Sequence, residues 1–283
     1  GGDMRLSHAQ PSASADSARG ELRVSGVDLA ALAALGQRLP LGPRLHRALQ
    51  IYAPQGQVEQ LQARWQGAWE APRAFDARGR LSKLDVASHP QLQPLAEDAA
   101  PAGEIGSPGV RGLTLDFDLN QDGGRASVQV QQGHLELPGV FEQPRVELDQ
   151  LAAELQWRRQ GGQTRLQISN ARVANAQAQG EFQLTWQTGT GARRLPGELD
   201  LQGSFSRAEL AALHRYLPQA IPAEVRSYLR EALPQGRASG ARFKVKGDLH
   251  DFPFHQSGQG EFRITAQVQD TRFVYVPASL QPA

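Results

Sequence analysis

From residue 110 onwards, apolar and polar residues alternate with a period of two in one short segment after another. In segment 181–187, Phe182, Leu184 and Trp186 would face one side of a strand and the residues between them the other side. Such segments are five to eight residues long, recur every ten to fifteen positions, and are separated by turns rich in Gly, Pro and Asp. Local connections of this kind predict an antiparallel meander with one apolar and one polar face.

Helical patterns interrupt the alternation near the N-terminus. Asp28 has the position of an N-cap before a leucine-rich helix that ends at Pro40. Pro43 then begins a second helix, which ends before Pro54. These features predict two consecutive short helices between strands.

The same pattern occurs again in the C-terminal third. Leu-Ala-Ala-Leu followed by Leu-Pro is found at 32–40 and, at a shift of 178, at 210–218. In the second copy, Ser206 and Glu209 have the spacing of a capping box, and Pro222 precedes another amphipathic helix. Because the order of helices, prolines and strands is shared, we expect an internal repeat.

The fold expected from these patterns is mainly β with a few short α-helices, the helices forming two pairs inserted by the repeat. The apolar face could pack against a second sheet, as in a sandwich, or could curve around an open groove. The pattern alone is compatible with both arrangements.

The division of the chain follows the same features. Residues 1–20, small and polar, are expected to form a disordered leader or to include residues left by cloning. Residues 21–283 are expected to form one segment, divided into a repeat unit 21–86, a loop 87–109, a strand meander 110–205 and a repeat unit 206–277.

Charge and composition exclude several classes of function. The net charge is +1, from 30 basic and 29 acidic residues, whereas nucleic-acid binding would favour a basic excess. The absence of cysteine excludes disulfides and thiolate metal sites. There is no run of eighteen apolar residues, so we expect no membrane-spanning helix within these 283 residues.

One cluster has residue types that could bind a metal. Asp248, His250, Asp251 and His255 lie close together in the sequence, and carboxylates with imidazoles can hold zinc. Their spacing matches no zinc template, and a polar turn with Phe252 and Phe254 tucked into the core explains them more simply. No G-x-S-x-G, H-E-x-x-H or Walker A motif is present, so we expect neither catalysis nor a cofactor.

The C-terminal third also carries motifs of a known family. Tyr216-Leu217-Pro218, Gly247-Asp248-Leu249 and Asp251-Phe252-Pro253-Phe254 resemble the core of the YhdP family, very large AsmA-like proteins of the Gram-negative envelope. The likeness extends over Leu22 to Pro277 and includes LPGVF and LQW, although Tyr228 stands where the family often has tryptophan. The motif residues expected to be structural are Tyr216, Leu217, Pro218, Gly236, Gly247, Asp251, Phe252, Pro253, Phe254 and Tyr275.

The resemblance implies an elongated, curved antiparallel sheet, a groove or half-tube, that carries phospholipid or another acyl lipid towards the outer membrane. It also implies a periplasmic location, an inner-membrane anchor outside these residues, and contacts with the rest of a large polypeptide and with envelope proteins. The side chains expected to line the groove are Trp65, Phe117, Trp157, Phe182, Leu184, Trp186, Phe243 and Phe262. The alternative is a non-catalytic structural or interaction module, in which the same side chains would fill a closed core.

Overall fold

The computed structural model of the chain describes residues 2–9, 18–39, 41–68, 72–91, 106–190, 194–254, 256 and 258–277. These residues form one curved sheet of twelve strands that does not close into a barrel. Each strand pairs with its neighbours in sequence, and every pairing is antiparallel. The predicted meander is therefore confirmed.

The strands of the sheet are β1 (Asp3–Ala9), β2 (Arg19–Asp28), β3 (Gln55–Gly67), β4 (Pro72–Val86), β5 (Gly109–Asn120), β6 (Gly123–Glu136), β7 (Arg145–Gln160), β8 (Gln163–Ala174), β9 (Ala178–Gln187), β10 (Glu198–Glu209), β11 (Gln235–Asp248) and β12 (Gly260–Arg272). Helices α1 (Leu29–Gly36) and α2 (Pro43–Tyr52) connect β2 to β3. A 3-10 helix (Leu210–Tyr216) and α3 (Ala223–Ala232) connect β10 to β11, so both predicted helix pairs are present.

Local sequence explains where the first helix pair begins and ends. The Asp28 carboxylate accepts a hydrogen bond from the backbone N–H of Ala31, 2.9 Å long, as predicted for an N-cap. Pro43 occupies the first turn of α2, and Ala53 ends that helix in the left-handed conformation.

Two expectations about local structure are wrong. Ser206 and Glu209 form no capping box, because β10 continues through Glu209 and the following helix is a 3-10 helix without a side-chain cap. Residues 3–9, expected in the disordered leader, form β1 and pair with β2. Met4, Leu6 and His8 alternate with polar residues there, a short period-two pattern within an otherwise small and polar segment. Residues 10–17 lie outside the described part.

The strands are also longer than predicted, reaching 16 residues in β7. The prediction fell short because the period-two pattern breaks within a strand. At the break two successive apolar residues are three positions apart instead of two, and the strand continues beyond it. Residues 125–132 and 134–136, which strict alternation would divide between two strands, therefore belong to one strand, β6.

This phase shift occurs at adjacent positions on neighbouring strands. Together these positions form a line across the sheet, which we call the crease. In each case apolar residues, or an apolar residue and a glycine or alanine, are spaced three apart instead of two. The pairs are Val24/Val27, Val58/Leu61, Leu81/Leu84, Val110/Leu113, Val130/Gly133, Leu148/Leu151, Ile168/Ala171, Phe205/Ala208 and Ala238/Ala241.

Neighbouring pairs of the crease face one another across the sheet. Val24 pairs with Leu61 and Val27 with Val58, and the same matching holds between β6 and β7 and between β10 and β11. Six of the pairs enclose a residue with positive φ: Gly26, Lys83, Gly112, Gln132, Asn170 and Gly240. Bulges of this kind bend and twist a strand, so a row of them across a sheet curves it along one line.

The two long sides of the sheet differ in their connections. Two-residue turns connect β5 to β6 and β7 to β8 on one long side, which we call the turn rim. Both helix pairs and the connections β4–β5 and β6–β7 lie on the opposite side, the helical rim.

The connections of the helical rim are joined to one another. Backbone N–H groups donate to carbonyls of another connection on the same rim, so the described parts of these helices and loops are linked into a belt. These bonds are Ala87 to Tyr52 (3.0 Å), Gly106 to Pro138 (2.8 Å) and Gln219 to Val140 (2.8 Å). None of the helices in the described ranges is both long and apolar enough to cross a membrane.

The crease can be tested at Gly240, which has φ +59° and where an added Cβ would contact nothing within 4 Å. We expect Gly240→Val to lower the free energy of unfolding by about 1–2 kcal/mol, because a β-branched residue resists the left-handed conformation. Gly240→Asn should cost less, since asparagine tolerates that conformation. Urea unfolding of the wild type and the two variants measures the difference. Equal stability of the two variants would contradict the left-handed conformation at residue 240.

A second prediction concerns the polar face. Hydrogen bonds from Gln62, then Arg23 and Arg64, lower the pKa of Glu21 to about 2. A lowered pKa stabilises the fold above the ordinary carboxyl range, and the contribution is lost as the pH falls towards 2. We expect Glu21→Gln to be less stable than wild type at pH 7, with the difference shrinking between pH 5 and pH 2. Urea unfolding at several pH values measures this. A difference that is constant with pH would refute the assignment.

Candidate functional site

The candidate site is the apolar face of the sheet. All twelve strands belong to one sheet, and no second sheet covers this face within the described ranges. Its side chains are therefore mostly half-buried, whereas facing sheets of a sandwich would bury them. Of the two arrangements compatible with the sequence, the structure has the curved open sheet.

The predicted lining residues lie on this face in cross-strand rows. In one row Trp157 pairs with Leu166, which pairs with Trp186. In another, Gly203 of β10 lies between Phe182 and Phe243. A third row contains Leu184, Leu201, Val245 and Phe262.

Exposure separates the edge of the face from its interior. Trp65, Phe117, Trp157, Phe182, Leu184, Trp186 and Phe243 are half-buried. Phe262 is 37% exposed because it belongs to β12, the last strand of the sheet, along with Ile264 at 48% and Val268 at 54%. All eight predicted side chains are thus at least partly accessible from the apolar side.

The most deeply buried positions of the sheet were missed by the sequence analysis. They are mostly aliphatic or alanine residues of the crease: Val24, Val58, Leu84, Val130, Leu148, Ala171, Ala238 and Ala241. Sequence reasoning selected large aromatic residues, whereas burial here follows the bend of the sheet. The spacing of three between apolar residues within a strand was the signal that could have identified these positions.

Glycines on neighbouring strands make room for the aromatic rings. A Cβ added at Gly20 would meet the ring of Trp65 at all three of its nearest atoms. At Gly203 the added Cβ would lie 2.6 Å from Cζ of Phe243 and 2.7 Å from Cβ of Phe182. At Gly124 it would lie 2.7 Å from Cζ2 of Trp157. The rings therefore lean over the adjacent strand, where a side chain would otherwise stand.

This arrangement keeps the apolar face smooth and free of polar groups around the rings. A ring lying over a glycine adds its face to the surface without a neighbouring side chain projecting beside it. The indole Nε1 of Trp186 donates a 2.8 Å hydrogen bond to the carbonyl of Pro196, so its polar atom is satisfied within the protein. Such a surface offers dispersion and hydrophobic contacts.

Three motif residues of the repeat lie on the helical rim. The Tyr216 hydroxyl accepts a 3.0 Å hydrogen bond from Asn175 and donates a 2.6 Å bond to Gln177. Leu217 is buried, and Pro218 forms an isolated bridge with Phe141 of the β6–β7 connection. These contacts place the 3-10 helix on the ends of β6 to β9.

The Asp-Phe-Pro-Phe motif lies on the turn rim between β11 and β12. The ring of Phe252 contacts Phe254 and Phe262 at centroid distances of 5.5 and 5.4 Å. Phe254 covers Gly247, where an added Cβ would lie 2.8 Å from its ring. The motif thus carries aromatic rings of the apolar face onto the loop.

The remaining motif residues lie near the sheet edge. Gly236 has φ +126° and faces Thr271 of β12, 2.6 Å from where its Cβ would be. The backbone N–H of Asp251 donates to the carbonyl of Asp248, closing the turn before the phenylalanines. Tyr275 is 79% exposed, and its carbonyl accepts a hydrogen bond from Tyr228.

The histidine and aspartate residues near 250 form a turn. The Asp248 carboxylate accepts a 2.9 Å hydrogen bond from the backbone N–H of His250. His255 lies outside the described residues. Across the described ranges, no group of three or more His, Asp or Glu side chains is arranged to hold a metal ion.

The ring-over-glycine arrangement predicts the effect of Gly20→Ala. The new methyl group should displace the Trp65 ring and lower the free energy of unfolding by about 1–3 kcal/mol, as overpacking does. With 5-fluorotryptophan incorporated, the ¹⁹F resonance of Trp65 should shift among the four tryptophan signals. Ser25→Ala, on the polar side of the same strand, is the control. An unmoved Trp65 signal would show that the ring does not lie over Gly20.

Comparison with known proteins gives one match. The sequence profile of the family described as YhdP protein matches residues 2–279, nearly the entire chain. No curated protein and no solved structure matches it. Since the match spans far more than half of the sequence and agrees with the motifs on both rims, the chain belongs to the YhdP family.

Proposed function

We propose that this chain is a segment of a periplasmic AsmA-like protein that binds or conducts phospholipid along an apolar groove between the inner and outer membranes. The observation that carries the proposal is the apolar face itself. It continues across twelve strands, stays half-exposed, and is not covered by a second sheet in the described part.

The direction of the groove follows from the strand order. The strands run from one rim to the other, so the apolar rows cross the strands and continue from β2 towards β12. An acyl chain lying along a row would contact Trp157, Leu166 and Trp186 in turn. Contacts of this type are non-directional, which suits a ligand that slides between equivalent positions.

The full protein is proposed to be anchored to the inner membrane by a segment outside these residues and to support the outer-membrane barrier. This role requires no catalysis and no cofactor. Membership in a family of envelope proteins supports the proposal.

The last strand suggests how the groove connects to its surroundings. Phe262, Ile264 and Val268 of β12 present apolar side chains at an open strand edge. We propose that the rest of the same large polypeptide, or an envelope protein, adds a strand here and continues the apolar face.

Photo-crosslinking tests whether lipid occupies the face. A photoreactive residue replacing Trp157 or Phe182 should give lipid adducts when the protein is expressed in bacteria. The same residue at Gln156 or Gln183, the adjacent positions on the polar face, should give far fewer. Mass spectrometry of the intact protein identifies the adducts. Equal adducts on both faces, or none on the apolar one, would refute the proposal.

A charge placed in the groove provides the second test. Leu184→Glu should reduce co-purifying lipid by about tenfold or more, because a carboxylate beside acyl chains is poorly solvated. Gln183→Glu adds the same charge to the opposite face and should leave the lipid unchanged. Native mass spectrometry and lipid extraction measure both, and urea unfolding checks that each variant is folded. Retention of lipid by Leu184→Glu would count against the groove.

A further inference from the structure

The helical rim carries a group of basic side chains that the groove does not explain. Arg215 follows His214 in the 3-10 helix, and Arg226 and Arg230 are one turn apart on α3. The two helices pack against each other. The charges of Arg215 and Arg230 act on His214, and Glu142 lies near both His214 and Arg226, so the four basic residues form one cluster.

Only part of this positive charge is matched. Arg226 Nη1 donates to the backbone carbonyls of Gln219 and Ile221, and its Nε lies 3.7 Å from a carboxylate oxygen of Glu142. The side chains of Arg215 and Arg230 form no hydrogen bond or ion pair with any described residue. The ion pair with Glu142 therefore involves Arg226 and leaves Arg215 and Arg230 without a carboxylate partner among the described residues.

Burial makes the unmatched groups costly. The Nε atoms of Arg215 and Arg226 are both buried and lack a hydrogen-bond partner among the described residues. Burial, with the nearby charges of Arg230 and Arg215, lowers the pKa of His214. A buried donor without an acceptor destabilises the protein unless a ligand supplies one.

The basic residues at the opposite rim differ in this respect. Arg158 and Arg165 form a directly opposed pair beside the β7–β8 turn, and both are exposed to solvent. Water satisfies such groups at little cost. Arg230 is exposed as well, whereas Arg215 and Arg226 are half-buried, and these two residues distinguish the helical-rim cluster from an ordinary solvated basic surface.

We propose that the His214–Arg215–Arg226–Arg230 cluster binds a phosphate group, and that in the loaded protein this is the phosphate of a lipid headgroup. Several oxygens on one anion can accept from more than one guanidinium at once. The identification of the phosphate as a lipid headgroup rests on the proposed function, whereas the phosphate site itself does not depend on it.

The location fits a headgroup. A phosphate cannot leave water for a surface of Val, Leu and Trp, so the headgroup of a lipid in the groove must lie at one of the two rims. The cluster lies on the helical rim, whose helices and loops join into one belt. Acyl chains would then lie on the open sheet, with the phosphate towards the helices.

The test uses three probes on the delipidated full chain: dihexanoylphosphatidylglycerol, dihexanoylglycerol and inorganic phosphate. Isothermal titration should show tighter binding of the phospholipid than of the diacylglycerol with the same acyl chains. In Arg215→Gln/Arg230→Gln this preference should fall by about tenfold or more, with diacylglycerol binding unchanged. Arg226 is left intact because it also holds the Gln219 and Ile221 carbonyls.

Arg158→Gln/Arg165→Gln removes the same charge at the turn rim and should keep the preference. If this control loses it equally, general electrostatic attraction explains the binding and the site is refuted. A preference that persists in the Arg215/Arg230 variant also refutes the site but leaves the groove standing. If neither lipid binds while inorganic phosphate binds and is lost in the variant, the phosphate site stands and the lipid groove fails. Thermal unfolding confirms that each variant is folded.

Discussion

Every strand of this protein must keep its apolar side chains on one face while the sheet bends. A strict period of two would do so on a flat sheet, but the strands here cross a bend. Nine of the strands include one extra residue at the bend, as in Leu81-Ser82-Lys83-Leu84 and Ile168-Ser169-Asn170-Ala171. The extra residue restores the apolar face beyond the bulge. Curvature and one-sidedness therefore have the same cause.

The bend also separates three groups of side chains that differ in packing and charge. Along it lie small and medium aliphatic residues, which pack closely and hold the shape. On the open side, towards the turn rim, lie aromatic rings that lean over glycines and remain accessible. Beyond it, on the other side, lie helices with paired and unpaired charges. The sheet thus has three parallel bands: a closely packed aliphatic band along the bend, an accessible aromatic surface on one side of it, and a charged border on the other.

Much of the fold was visible in the sequence because its pairings are local. Alternation predicted the meander, and Asp28 and Pro43 predicted the first helix pair correctly. Strand length was underestimated because Gln132 and Leu151 look like interruptions when the alternation is counted strictly. β1 was missed because Met4 and Leu6 are too few to stand out against the small polar residues that follow.

The aromatic residues of the face could be selected from alternation, but their placement over Gly20, Gly124 and Gly203 depends on register between strands. The basic cluster was not predictable, since the packing of α3 on the 3-10 helix brings its members together.

The strand order has a consequence for how the protein reaches this structure. Each strand needs only the one before it, so no part of the sheet waits for a distant partner to be synthesised. Large β proteins usually fold slowly because their pairings join remote segments of the chain. A meander of hairpins has low contact order for its size, and successive strands can add as the chain emerges. The open edge exposed at each stage is then the template for the next strand, and the incomplete chain is most prone to aggregation where its newest edge is apolar.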